Sequence, residues 1–454
     1  MKLLLPFLAC IAIFLRTLPV LGQTNTDSAH DDAETPRTDN NALCAPLETH
    51  LTDGVSIDAE IQGETAPPLA RDCDRQGPLA QAEIDSTHND AEATRTESDA
   101  DALFVEASPV LAQENFAGSE TYPRIGGDVL FRFAYDGDYN AETPRTESHD
   151  LFFEMIASPE FQFTERFSLN AEIRLENASP PTEDRYFEDQ TLFVRKLFVN
   201  YDVNDRLSLQ AGKYTPTFAF ASLVTPGMYG NNYSKEIELI ERIGFGAEYT
   251  FDTGAFGEHT LSASTFFDDT SFLSDSLDLG GRRGRNRLAD GGASNTESFE
   301  SFTVALEGRE ISQLPGFTYR LAYIHEAVGE GDVADENGFL VAAMQSFQLS
   351  DGQSLTLIGE IAPLWNFEGT ADNIIYASAG VVYQTDPWTV ILSGTGRWRD
   401  LASGGTFDDY AVQTAVGYDL DRGASIEVAH EFTRDQNVNG QRIGFRFIQM
   451  FDFD

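Results

Sequence analysis

From Tyr122 to the end of the chain, apolar residues recur at every second position. Ile243, Phe245, Ala247, Tyr249 and Phe251 alternate with Arg242, Gly244, Gly246, Glu248 and Thr250. A period of two places one set on each face of a β-strand. Turn residues divide the alternation into sixteen expected strands: 124–136, 151–163, 166–176, 190–203, 206–214, 237–252, 258–267, 299–309, 317–326, 338–349, 353–364, 372–385, 388–398, 408–420, 424–433 and 441–453.

The connections alternate as well. Thr164-Glu165, Asn204-Asp205, Asp351-Gly352, Asp386-Pro387 and Asp421-Arg422-Gly423 are tight turns. Longer loops such as 137–150, 177–189, 215–236 and 268–298 come between them. Short turns on one rim, long loops on the other and an even strand count match a bacterial outer-membrane barrel. The apolar row would face lipid and the polar row a wet lumen. In lipid the sheet must close, because every backbone amide needs an internal partner. The expected fold is therefore an all-β, antiparallel up-and-down transmembrane barrel over residues 121–454.

Residues 1–120 have another texture. Met1–Gly22, with Lys2 followed by an apolar stretch, reads as a secretory signal peptide cleaved after Gly22. Residues 23–120 hold 4 Arg and no Lys against 22 Asp plus Glu, and apolar residues are sparse. Such a segment buries too little surface to offset its ordering entropy, and disorder is expected. Cys44 and Cys73 are the cysteines of the exported chain and are a candidate disulfide in an oxidising compartment. The formal net charge of −44 argues against nucleic acid as a partner.

The final strand alternates Ile443, Phe445, Phe447, Phe451 and Phe453, interrupted by Gln449. It resembles the aromatic C-terminal signature that the barrel assembly machinery recognises, although here Asp454 follows the last Phe. Val194–Val203 followed by Leu207–Pro216, with its Gly212-Lys213-Tyr214-Thr215-Pro216 phrase, resembles the phosphate-selective porin group and its wider superfamily. The resemblance supports a porin rather than phosphate selectivity. It implies a homotrimer in the cell outer membrane, passing ions and small hydrophilic solutes without a cofactor, with lipid and lipopolysaccharide around it. It also implies that the third long loop folds into the lumen.

That loop is Pro216–Glu236. Its Phe218 and Tyr229, with Lys213, Lys235 and Glu236 flanking or ending it, are candidate constriction residues. The alternation assigns Arg242, Arg320, Arg397, Arg399, Arg442, Arg446, Glu248, Glu360, Glu427 and Glu431 to the lumen. Rings of one sign would select ions by charge, and facing rows of opposite sign would set a transverse field. Both alternate rows of 190–203 carry apolar and cationic residues, so a bulge is expected near Arg195–Lys196. Arg282, Arg283, Arg285 and Arg287 form a basic cluster suited to anion collection, solvation or lipopolysaccharide phosphates. Asp136, Asp138, Asn140 and Glu147 follow a calcium-loop spacing, with Ala141 where that loop needs Gly. No catalytic motif is found, and a non-enzyme is expected. Three other functions fit the same layout: a substrate-specific transporter, a barrel tethering the outer membrane to the cell wall, and a secreted β-rich adhesin.

Overall fold

The computed structural model describes residues 121–139, 147–420 and 422–453. The signal peptide, the acidic segment, Cys44, Cys73 and Asn140 lie outside them. Sixteen strands form the wall. They are β1 (Arg124–Tyr139), β2 (Ser148–Thr164), β3 (Phe167–Asn177), β4 (Gln190–Asn204), β5 (Leu207–Tyr214), β6 (Arg242–Asp252), β7 (Glu258–Asp268) and β8 (Ser301–Arg309). They continue with β9 (Phe317–Glu326), β10 (Glu336–Ser350), β11 (Gln353–Trp365), β12 (Asn373–Thr385), β13 (Trp388–Asp400), β14 (Thr406–Asp419), β15 (Ala424–Asp435) and β16 (Val438–Phe453). Each is antiparallel to its sequence neighbour. β1 pairs with β16 from Gly127↔Phe453 to Tyr139↔Gln441, which closes the barrel.

All sixteen expected strands are present, with shifted ends. The segment expected to start at residue 237 joins the wall only at Arg242, because the lumen loop occupies the preceding residues. The last long-rim loop shrinks to residues 436–437 as β15 and β16 extend toward each other. The expected bulge is present: Glu172 pairs with Lys196 and Ile173 with Val194, which leaves Arg195 as the extra residue. As a result two consecutive cations reach one inward carboxylate, with Arg195 at 3.6 Å and Lys196 at 2.8 Å from Glu172.

The outward row is apolar and uncovered, with Phe245, Val341 and Val428 each more than half exposed. So continuous an apolar surface suits lipid. On β13, Trp388 and Trp398 mark the two rims. Ten residues at about 3.4 Å each, tilted by about 40°, give roughly 26 Å of height, which matches the apolar band of an outer-membrane barrel.

The wall has a breach. β5 ends at Tyr214, part-way up, and the chain turns inward until Arg242, which pairs with Tyr214. The upper edge of β4 would then lack a partner. The short strand Leu277–Leu279, from the loop after β7, fills the place: Leu277 pairs with Leu192 and Asp278 with Thr191. Leu277 and Leu279 are exposed and continue the apolar outer surface.

Candidate functional site

Tyr214–Ser234 contains no charged residue. The loop can therefore enter the barrel without burying an unpaired charge. Phe218 and Phe220 are almost wholly buried, in a cluster with Ile324, Leu340, Leu364 and Ile374 from the inward rows of β9 to β12. Burying each ring contributes about 2 kcal/mol or more.

The loop's free backbone groups find wall acceptors. Phe220 and Ala221 donate their N–H groups to Glu360 Oε2, both at 2.8 Å. Met228 N–H donates to Glu427 Oε1 at 2.6 Å, and Tyr229 N–H to Gln413 Oε1 at 2.8 Å. Tyr229 Oη donates to Asp136 at 2.5 Å, and Asn232 donates to Glu431. On the return, Glu236 accepts from Arg397 at 2.8 Å and from Tyr376 at 2.5 Å. Glu238 then meets Arg195 at 3.4 Å. The loop thus follows the wall from β9 to β15, touches β1 at its tip, and returns to β4. Gly444 lies under the tip, where a Cβ would collide with Met228 and the Tyr229 hydroxyl.

The rest of the inner wall carries buried ion pairs. Arg132 pairs with Glu154, and Arg446 with Glu427 at 3.1 Å. Arg174 and Lys196 hold Glu172 at 2.6 and 2.8 Å. Cations and carboxylates are interleaved, so no ring of one sign forms here. Two small recesses open on the inner wall. One lies toward the long-loop rim, between Asp136, Asp138, Asp150, Phe152 and Arg442. Another lies toward the short-turn rim, between Thr217, Glu248, Glu307, Arg309 and Arg320.

The structure places the expected site residues unequally. Glu248, Arg320, Glu360, Glu427, Glu431, Arg442 and Arg446 are on the inward face, and Glu360, Glu427 and Glu431 are buried there against the loop. Arg397 is inward and shared by Glu236, Asp409 and Asp435, while Arg399 pairs with Asp372 at 3.0 Å beside the long-loop rim. Arg242 pairs with Asp268 and Glu326 at the loop's root. Lys235 is half-buried on the loop.

Two constriction candidates have another role. Lys213 is buried at the breach, where Glu241 at 2.8 Å, Asp269 at 2.9 Å and the Leu273 carbonyl at 2.9 Å hold its ammonium. Phe218 is an anchor within the apolar cluster rather than a lining residue. Burial on its own would raise the Glu241 pKa, but Arg283 and Lys213 outweigh it and hold it down to about 2.

The calcium-loop candidates are engaged elsewhere. Asp136 accepts from Tyr229, Asp138 pairs with Arg442 at 2.8 Å, and Glu147 is exposed. Among the described residues no group of His, Cys, Asp and Glu is arranged to hold a metal ion. The basic cluster is partly engaged too. Arg282 pairs with Asp275, Arg283 bonds Glu241 and lies 4.0 Å over the Phe193 ring, and Arg285 bonds the Thr270 carbonyl.

The sequence reading missed Arg132, Glu154, Glu172, Arg174 and Gln413. The signal was present, since Arg132 alternates with Phe131 and Phe133, and Glu154 with Phe153 and Met155.

Neither a protein-family model nor a curated protein matches this chain. Solved structures do resemble it. OprB of Pseudomonas putida, in its high-pH structure, is 12% identical, with a TM-score of 0.51 over 72% of this chain and 94% of that one. The outer membrane channel DcaP of Acinetobacter baumannii is also 12% identical, with a TM-score of 0.46 over 74% of this chain and 100% of that one. The outer membrane protein opdK of Pseudomonas aeruginosa is 11% identical, with a TM-score of 0.45 over 73% and 99%. The closed sixteen-stranded barrel with its apolar belt is an outer-membrane β-barrel fold, and the likeness to OprB is one of fold.

Proposed function

We propose that this chain is an outer-membrane channel for passive diffusion of ions and small hydrophilic solutes. One observation carries the reading: inside a closed barrel the uncharged loop is seated on one half of the inner wall, and the other half bears interleaved Arg and Glu. The path for solute is assigned to that charged half, along the inward rows of β1 to β4 and β16. Interleaved Arg and Glu on that path supply fixed dipoles for a passing solute and need no covalent step. A homotrimer belongs to the same proposal, from the porin resemblance in Val194–Pro216. The test is planar-bilayer recording of the refolded chain. Stepwise conductance in symmetric salt is the expected result, and a silent, correctly folded barrel would sink the reading.

A further inference from the structure

Glu360 has a role that diffusion alone does not use. It stands on the inward row of β11, between Ala342 and Ser378 in register, and is 5% exposed. Its Oε2 accepts the Phe220 and Ala221 N–H groups, while its Oε1 is buried without a hydrogen-bond partner. Among the described residues it forms no ion pair.

The neighbouring peptide is gripped from the opposite sign. Arg320 Nη1 donates to the Ala219 carbonyl, and its guanidinium lies 5.2 Å over the Phe220 ring. Arg320 is itself fixed by Glu307 at 2.7 Å. Residues 219–221 therefore sit in a clamp, with a cation on a carbonyl and an anion on two amides. This is where the loop turns along the wall into the short helix Ala221–Val224.

Few other ionisable groups surround the clamp. β10 and β12 offer Ala342 and Ser378 there, and Ser378 bonds Thr395 at 3.0 Å. The loop contributes no charge before Lys235. Glu248, Glu307 and Arg309 line the recess toward the short-turn rim together with Arg320. The phenols of Tyr233 and Tyr376 share the apolar cluster, and Tyr376 is bonded to Glu236.

We infer that Glu360 and Arg320 are positioning residues that hold the loop against the wall and so set the channel's aperture. Protonating Glu360 on its unused oxygen removes the charge assistance from both amide bonds. The loop then leans away from the wall into the path. This rests on the channel reading above for its consequence, but not for its structural part.

The test uses the full refolded chain and Glu360→Gln, which keeps an acceptor and removes the charge. Assembly is checked first, by the resistance of the unheated barrel to SDS. Protection of the Phe220 and Ala221 amides, taken as exchange relative to the intrinsic rate at each pH, is then read at pH 7 and pH 4. The wild type should lose roughly tenfold protection in acid, as charge assistance is lost. Glu360→Gln should show the lower protection at both pH values. Bilayer recording should show the aperture roughly halved, with flicker, in the wild type at pH 4 and in the variant at pH 7. Wild-type protection in Glu360→Gln at pH 7, or an acid loss of protection that it retains, would overturn the inference. A wild type that conducts nothing yet shows the exchange pattern would fail the channel reading and leave the clamp standing. If the variant does not assemble, the wild-type pH comparison decides alone.

Discussion

The inner wall has two unlike halves. From β9 to β13 its buried residues include Ile324, Leu340, Ile358, Leu364, Ile374 and Ile391. From β16 through β4 they include Arg446, Arg132, Glu154, Glu172, Arg174 and Arg195. Both halves obey the same two-residue period, so secondary structure does not distinguish them. What distinguishes them is what covers each. The uncharged loop finds an apolar seat on one half, and each buried charge on the other has a partner of opposite sign. Within one closed sheet the chain has built an apolar seat and a charged, ion-paired face side by side.

The contrast can be broken most strongly by removing the cover. Replacing residues 216–240 with a short Gly/Ser bridge should leave the barrel assembled and raise single-channel conductance several-fold. Unchanged conductance would mean that the loop is not what narrows the lumen. The next effect is on stability. Arg446→Met leaves Glu427, which is 1% exposed, without its guanidinium. A cost of about 3–5 kcal/mol in reversible urea unfolding is expected, as for a buried pair broken on one side. A cost below 1 kcal/mol would show that water already screens the charged half.

The smallest effect separates the halves by pH. Glu241 ties the loop's root to Lys213 and Arg283, and its pKa is held down from 4.5 to about 2. A depressed carboxylate contributes stability that is full above its unfolded value and lost as pH falls through its folded value. Anchoring of the root should thus persist above about pH 5 and weaken between about pH 4 and 2. Protection of the Glu241 amide and its neighbours, taken relative to the intrinsic exchange rate at each pH, reads this, and a transition near neutral pH would contradict the assignment.

Most of the wall was legible in the sequence because a strand writes its two faces into alternate residues. Ile243 to Phe251 showed which way each side chain points, and Arg195-Lys196 announced a bulge by spoiling the alternation. The expected loop entered the lumen because an uncharged stretch rich in Phe and Tyr can be buried. Lys213 could not be placed in the same way. Its position depends on Asp269 and Leu273, which reach it from another loop, and no local pattern encodes that meeting. The division of the inner wall was equally hidden. It emerges only when inward rows from distant strands are brought side by side, as with Arg132 of β1 and Arg446 of β16.

The strand Leu277–Leu279 has a consequence for how such a wall can be built. The upper edge of β4 receives its partner from a segment three strands further along the chain. Until that segment arrives, Thr191 and Leu192 present an open sheet edge with no partner on that side. The barrel therefore cannot be sealed by adding hairpins in order from one end. Its last stitch on this side is set by a loop reaching back, after the chain has already passed through the interior and out again.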